Sequence, residues 1–142
     1  MGTNNNKLTP IRLVGGVVVC DNGKFLLVQE KQKDVYGKWN VPAGEVEKGD
    51  NPEETAIREA KEETGYDVEL QYLIKVCYKM GNRAAKFIYK AKIIGGAVAI
   101  RKNEILDVQW FTLDEMRAMK DQLRRPWVLT VAEIAADACK CK

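Results

Sequence analysis

Three glutamates in the middle of the chain have a spacing suited to holding a cation. Glu59, Glu62 and Glu63 stand at positions i, i+3 and i+4, which on an α-helix places their Cβ atoms roughly 5–6 Å apart on one face. Like charges at i, i+4 destabilise an isolated helix by roughly 0.2–0.5 kcal/mol per pair, so we expect a cation over them. A hard divalent ion that prefers oxygen ligands, Mg²⁺ or alternatively Mn²⁺, suits this group.

The residues around the glutamates predict a helix over residues 51–64. Asn51 is a suitable N-cap, Pro52 suits the first helical position, and Gly65 suits a left-handed C-cap. The predicted apolar side of this helix is narrow, which favours close packing on a sheet, and consists of Ala56, Ile57 and Ala60.

A solvated, Glu-rich surface helix is the alternative explanation of the three carboxylates, because such helices are common. The segment before the helix argues against it. Residues 42–50 contain two glycines, which allow backbone conformations that other residues avoid. The glycine loop and the acidic helix together form a longer pattern that favours a functional site.

The stretch from Gly44 to Tyr66 resembles the Nudix box. That pattern fixes a glycine, a glutamate, an Arg-Glu pair, a Glu-Glu pair and a closing glycine at set spacings, and Arg58-Glu59 and Glu62-Glu63 fall in register. Residues 39–43 and 104–111 resemble the flanking family segments, so the likeness covers most of the chain. Three positions depart from the pattern: Asp50 replaces the first glutamate, and Ala60 and Tyr66 replace aliphatic residues.

The resemblance implies a fold and an activity. The fold is an α/β/α sandwich around a mixed sheet, in one domain over residues 1–142 with flexible ends at 1–8 and 139–142. The activity is metal-dependent hydrolysis of a phosphoanhydride bond in a nucleoside diphosphate linked to another group, such as a nucleoside triphosphate. Two alternatives stay open, a non-catalytic domain that senses a nucleotide and an RNA 5′-end pyrophosphohydrolase.

The resemblance also assigns roles to single residues. Catalysis and metal binding fall to Glu59, Glu62 and Glu63, and which of them acts as the general base stays open. The backbone carbonyls of Ala43 and Gly44 are expected to face the metal. Supporting roles, in holding the loop and the helix or in reaching the site from another loop, are assigned to Arg58, Asp50, Glu47 and Glu104.

Composition narrows the chemistry further. The chain has no histidine, which excludes Ser-His-Asp hydrolases, imidazole bases and histidine metal sites. The net charge of +3 mildly favours anionic ligands and gives poor support for a nucleic-acid partner. We therefore expect a small nucleotide as the ligand and a monomer or homodimer as the assembly.

The ends and the hydropathy of the chain predict its location. Residues 1–10 are polar, and no apolar run approaches about 18 residues. We therefore expect no membrane span and a cytoplasmic protein. Cys20 and Cys77 are expected as buried free thiols, and Cys139 and Cys141 as part of a frayed tail.

Alternation and turn residues predict the other elements. The expected strands, the fifth ending at Gly95 and Gly96, are residues 11–20, 24–30, 39–41, 68–80, 86–94 and 108–111. A capping box at Thr112 begins a second helix, and residues 126–139 form a third.

The substrate itself is not identified by the sequence. Aromatic candidates for stacking on a base are Tyr36, Tyr78, Phe87, Tyr89 and Trp127. Cationic candidates for binding phosphate are Arg12, Lys38, Arg83 and Lys86.

Overall fold

A computed structural model of the chain describes residues 7–79, 81 and 83–140, which form seven strands and three α-helices. The strands are β1 (Arg12–Asp21), β2 (Lys24–Glu30), β3 (Trp39–Asn40), β4 (Ala43–Glu45), β5 (Tyr66–Lys79), β6 (Ala84–Gly96) and β7 (Ile105–Thr112). The helices are α1 (Pro52–Thr64), α2 (Leu113–Ala118) and α3 (Pro126–Lys140).

Strand β1 is the centre of a mixed sheet. It pairs in parallel with β6, from Arg12 opposite Ala84 to Val19 opposite Ala91. It also pairs antiparallel with β4 and, at its end, with β2. Strand β2 pairs antiparallel with β3 and with β7, and β5 pairs antiparallel with the edge of β6 that faces away from β1. The strand that leads into the acidic helix, β4, is therefore anchored directly to the middle of the sheet.

The alternation of side chains along β1 produces two cores. Val17 and Val19 belong to the core that includes Ala56 and Ala60 of α1, whereas Val18 belongs to the core under α2 and α3. Successive side chains of a strand point to opposite faces, so a run of buried valines serves both layers of helices. The expected α/β/α sandwich with a mixed sheet is confirmed.

Helix α1 begins and ends where its capping residues predict. Asn51 Oδ1 accepts a hydrogen bond from the Glu54 N–H at 2.8 Å, and Pro52 occupies the first turn. Gly65 has a φ of 87° and donates its N–H to the Lys61 carbonyl, the left-handed ending that glycine adopts without a steric cost. The predicted capping box of α2, between Thr112 and Glu115, is also confirmed.

Three local predictions are wrong. The predicted end of the fifth strand at residue 94 is two residues early, because β6 runs through Gly95 and ends at Gly96, which pairs with Tyr66. Residues 43–45, expected in a loop, form β4, whose glycine hides the usual strand signal. Ile57, expected on the packing side of α1, is 41% exposed. The buried side of α1 carries acidic residues beside the small apolar ones: Ala56, Glu59, Ala60 and Glu63.

Two of the four cysteines have side chains that the structure describes. The side chains of Cys20 and Cys77 are only partly buried, so the expected full burial is wrong, although burial raises the pKa of the Cys77 thiol. Cys141 and the side chain of Cys139 lie outside the described residues. No helix within the described part of the chain is long and apolar enough to cross a membrane.

Candidate active site

A cleft of about 540 Å³ opens beside α1 and is lined by residues from β1, β4, α1, the segment before β7 and the start of α3. Two groups of charged residues line it. We call Glu59, Glu63 and Lys102, with Arg58 behind them, the carboxylate cluster. We call the cations Lys86, Arg124 and Arg125, with Glu30 and Trp127, the basic cluster.

The carboxylate cluster is built on the buried side of α1. Glu59 and Glu63 are each only 4% exposed, one helical turn apart. Lys102, from the segment between β6 and β7, places its Nζ 2.5 Å from Glu59 Oε1 and 3.7 Å from Glu63 Oε2. The ammonium of a lysine of the chain itself therefore lies beside both glutamates.

Charge is unbalanced in this cluster. Burial and then the neighbouring charge of Glu59 raise the pKa of Glu63 well above its usual range, and Lys102 only partly opposes this effect. A buried carboxylate resists ionisation when its neighbour is already charged. Two carboxylates that share one nearby ammonium therefore favour additional positive charge.

The glycine loop touches both glutamates. The Ala43 N–H donates to Glu63 Oε1 at 3.2 Å, and the approach of the Ala43 and Gly44 carbonyls to a metal ion stays a prediction. A Cβ added to Gly44 would lie 2.3 Å from the carboxyl carbon of Glu59. A side chain at position 44 would take the space that the carboxylate fills and would force Glu59 to move.

Arg58 gathers the remaining acids of the predicted site. Its guanidinium lies 3.0 Å from Asp50 Oδ2, 3.2 Å from Glu59 Oε2, 3.6 Å from Glu62 Oε2 and 4.0 Å from Glu47 Oε1. The Glu62 side chain is 40% exposed. The structure therefore brings Glu59 and Glu63 together, and it leaves Glu62, Asp50 and Glu47 around Arg58.

Glu104 lines the same cleft from the segment before β7. It is exposed, and its Oε2 accepts a hydrogen bond from Gln32 Nε2 at 3.2 Å. The predicted approach of Glu104 to the site from another loop is consistent with this position, although Lys102, two residues earlier, makes the direct contact with the carboxylates.

The basic cluster has an excess of cations. Arg124 pairs with the buried Glu30, and Lys86 lies over the ring of Trp127, 5.0 Å from its centroid. Burial and then the charges of Arg124 and Arg125 lower the pKa of Lys86. Crowded, partly buried cations of this kind suit an anionic ligand such as a phosphate.

Two buried polar atoms beside the basic cluster lack partners. Asn40 Oδ1 and Trp127 Nε1 make no hydrogen bond within the described part of the chain, and both residues line the cleft. Buried polar groups are usually paired, so one acceptor and one donor are available to a ligand here.

The carboxylate oxygens of the cluster are ligands that suit a hard divalent cation. Within residues 7–79, 81 and 83–140, no three acidic, cysteine or histidine side chains converge as ready metal ligands. The carboxylates of Glu59 and Glu63 do converge, and the atoms that they offer to a metal ion are oxygens. Since Mg²⁺ is commonly held by one or two carboxylates together with water and substrate phosphates, two buried glutamates are sufficient.

Sequence reasoning missed several lining residues. Lys102 and Arg124 contact their glutamates across 43 and 94 residues of sequence, and no local pattern signals such pairs. Of the stacking and phosphate candidates, Trp127, Arg12 and Lys86 line the cleft. Missed entirely were Glu30, Asn40, Lys102, Arg124 and Arg125.

Comparison with known proteins identifies the family. A family model described as the NUDIX domain matches residues 10–131. The chain belongs to the NUDIX family. A NUDIX hydrolase from Nitrosomonas europaea has the same fold, with a TM-score of 0.82 and 24% identity over 92% of this chain and 90% of that one.

Curated relatives carry a more specific name. The 8-oxo-dGDP phosphatase NUDT18 of Danio rerio is 33% identical to this NUDIX chain over 102 residues, 70% of the chain and 31% of the relative. NUDT18 of Homo sapiens is 30% identical over 137 residues, 89% of the chain and 41% of the relative. The chain therefore spans less than half the length of these relatives.

Proposed function

We propose that this NUDIX domain hydrolyses a phosphoanhydride bond in a nucleoside diphosphate-linked substrate, with a divalent metal ion held by Glu59 and Glu63. Glu62 is the third carboxylate of the site. The observation that carries the proposal is the pair of buried, adjacent glutamates that share one lysine at the wall of a cleft. Burying like charges side by side is costly, and binding a cation offsets that cost.

The residues of the chain divide the work. When bound, Mg²⁺ or Mn²⁺ supplies charge neutralisation to the phosphate oxygens and lowers the pKa of a bound water. Arg58 and the Ala43 N–H each hold one glutamate in place through a hydrogen bond. One glutamate of α1 accepts the proton of the attacking water.

The basic cluster binds the other part of the substrate. Lys86, Arg124 and Arg125 attract phosphate oxygens, and the Trp127 ring beside them offers a surface for a nucleobase. The unpaired Asn40 Oδ1 supplies an acceptor for the polar edge of the base, and Trp127 Nε1, which lies in the plane of its ring, supplies a donor for a substrate atom beside the base. Reading a base through such atoms discriminates well, because a wrong base leaves them unpaired.

An oxidised purine nucleoside diphosphate is the first substrate to test. Two relatives that match 70% and 89% of this chain are named 8-oxo-dGDP phosphatases. Because the chain spans less than half of each relative, substrate selection is proposed here for the NUDIX domain alone.

A substrate panel tests the proposal. The purified chain is incubated with Mg²⁺ and 8-oxo-dGDP, dGDP, nucleoside triphosphates, ADP-ribose, NADH, CoA or a 5′-triphosphate RNA, and the products are separated by chromatography. We expect turnover that EDTA abolishes and Mg²⁺ restores. Full activity in chelator would rule out the metal mechanism. Tight binding of a nucleotide without turnover would favour the sensing domain, and turnover of RNA alone would favour the 5′-end hydrolase.

A further inference from the structure

The segment between β6 and β7 is fixed against the end of α1. The Ala99 N–H donates to the Thr64 carbonyl at 2.9 Å, and the Arg101 N–H donates to the Glu62 carbonyl at 3.0 Å. Close approach is possible because residue 65 is glycine, where a Cβ would lie 2.2 Å from the Ala97 carbonyl oxygen. The backbone immediately before Lys102 is therefore attached to the helix that carries the carboxylates.

Every carboxylate oxygen of Glu59 and Glu63 has a partner from the chain. Arg58 contacts Glu59 Oε2 at 3.2 Å, and the Ala43 N–H contacts Glu63 Oε1 at 3.2 Å. The other two oxygens, Glu59 Oε1 and Glu63 Oε2, both face the Lys102 Nζ. Lys102 is only 23% exposed, so its ammonium lies within the cluster.

We propose that Lys102 is a positioning residue that stands in for the metal ion: it holds Glu59 and Glu63 together in the metal-free protein and leaves when a divalent cation binds. The inference rests on the proposed function, since it takes these two glutamates as the metal ligands. The ion and the ammonium need the same two oxygens, so both cannot hold them at once.

Charge and tethering explain why the exchange is possible. When both carboxylates are ionised, one ammonium leaves them with a net charge of −1, whereas a divalent ion neutralises them. The four-carbon stem of lysine is flexible, so the ammonium can leave without breaking the backbone hydrogen bonds of Ala99 and Arg101. A tethered competitor of this kind raises the apparent dissociation constant for the metal ion in inverse proportion to the fraction of molecules in which the ammonium has left the carboxylates.

The test is Mn²⁺ binding to the wild type and to Lys102→Met, followed through the electron paramagnetic resonance signal of free Mn²⁺. We expect the variant to bind Mn²⁺ at least about tenfold more tightly, because the competitor is absent. In EDTA, its melting temperature should fall by roughly 4 °C or more, because two buried carboxylates then lose their shared cation. Saturating Mn²⁺ should remove most of that difference. Lys102→Gln, which keeps a polar side chain, replaces Lys102→Met if the methionine variant does not fold.

Two further variants separate the possible failures. Lys92→Met removes the same charge from an exposed ion pair with Glu69 and should leave Mn²⁺ affinity within about twofold of the wild type. Equal or weaker Mn²⁺ binding in Lys102→Met would overturn the inference, as would a fall in melting temperature that Mn²⁺ does not repair. If Glu63→Gln binds Mn²⁺ as well as the wild type, the proposed metal site itself fails, whatever Lys102 does.

Discussion

The two clusters that line the cleft both hold a buried glutamate against a cation, but their charges balance in opposite directions. In the carboxylate cluster, Glu59 and Glu63 share Lys102, and Arg58 is divided among four acids. In the basic cluster, Glu30 meets Arg124 while Arg125 and Lys86 stand nearby. The first cluster lacks positive charge and the second has too much of it.

The difference indicates how one cleft can bind a metal ion and an anionic substrate together. A cation reduces the repulsion between Glu59 and Glu63, and a phosphate reduces the repulsion among Lys86, Arg124 and Arg125. Partly buried charges are screened less by salt than exposed ones. The carboxylate cluster therefore suits the metal ion of a metal-nucleotide complex, and the basic cluster suits its phosphates. Substitutions in the two clusters should have separable effects.

The largest expected effect comes from removing a charge from the carboxylate cluster. Glu63→Gln should lower kcat by at least about 10²-fold, since losing one electrostatic contributor typically costs that much. The amide oxygen of glutamine still accepts from the Ala43 N–H, so the fold should be kept. Steady-state kinetics with Mg²⁺ and the best substrate of the panel measures the change.

Glu62→Gln is the matched control, because Glu62 is more exposed and contacts Arg58 instead of Lys102. We expect it to lower kcat less than Glu63→Gln does. Unchanged kcat in Glu63→Gln, together with a lower melting temperature, would mean that the buried glutamates serve the fold and not the reaction.

Removing Arg124 from the basic cluster should lower stability as well as weaken phosphate binding. Arg124→Met leaves Glu30, whose side chain is 8% exposed, without its ion-pair partner. We expect the free energy of unfolding to fall by about 2 kcal/mol, less than for a fully buried pair because Arg124 is partly exposed. Urea denaturation measures the change.

The double variant Glu30→Gln/Arg124→Met tests the cause. It should recover much of the lost stability, because the uncompensated charge is gone. A double variant that is no more stable than Arg124→Met would show that Arg124 stabilises the protein through packing. The contact between Arg124 and Glu30 would then not be an electrostatic counterpart of the contact between Lys102 and the two glutamates.

The two glutamates of the carboxylate cluster could be predicted from the sequence because they and the glycine loop are close together along the chain. Gly44, Glu59 and Glu63 fall within one loop and one helix, and helical periodicity alone places the two glutamates on the same face. The caps of α1 were predicted equally well, since Asn51 and Gly65 act through local hydrogen bonds. The approximate positions of most strands followed from their apolar runs.

The basic cluster could be predicted only in part: Lys86 and Trp127 were ligand-binding candidates, but the contact between Glu30 and Arg124 depends on how the sheet and the segment before α3 meet. Glu30 and Arg124 are 94 residues apart, and a charged residue at either position is what an ordinary surface position would also carry. Lys102 was missed for the same reason, since only the hydrogen bonds of its segment to α1 bring it to the glutamates. Strand β4 was missed because the glycine that makes room for Glu59 also removes the apolar signal of a strand.

A smaller effect is expected when the glycine loop is pushed away from the acidic helix. Gly44→Ala would place a Cβ 2.3 Å from the Glu59 carboxyl carbon, so Glu59 must move. We expect Mn²⁺ affinity to fall by roughly tenfold or more, as when groups that orient a metal ligand are lost. Gly95→Ala, where φ is not in the left-handed region and a Cβ would come no closer than 3.4 Å to Asp67, is the control for loss of a glycine. Equal Mn²⁺ affinity in both variants would mean that Glu59 does not bind the ion.

The smallest expected effect concerns Asp50, the one charged departure from the Nudix box. Its Oδ2 accepts from Arg58 Nη2 at 3.0 Å and from Thr55 Oγ1 at 3.1 Å. Asp50 thus fixes Arg58, and Arg58 in turn holds Glu59. A carboxylate that acts through an arginine tolerates one added methylene, so Asp50→Glu should leave Mn²⁺ affinity and kcat within about threefold of the wild type.

Asp50→Ala should weaken Mn²⁺ binding by about tenfold, because Arg58 loses its shortest contact and Glu59 is held less firmly. Titrating the wild type and both variants with Mn²⁺ distinguishes this indirect role from direct ligation. If Asp50 were a metal ligand set back by its short side chain, Asp50→Glu would bind the ion clearly more tightly and raise kcat. Identical titrations for all three proteins would exclude both a direct and an indirect role of Asp50 in metal binding. They would show that loosening Arg58 does not affect the binding of the ion by Glu59.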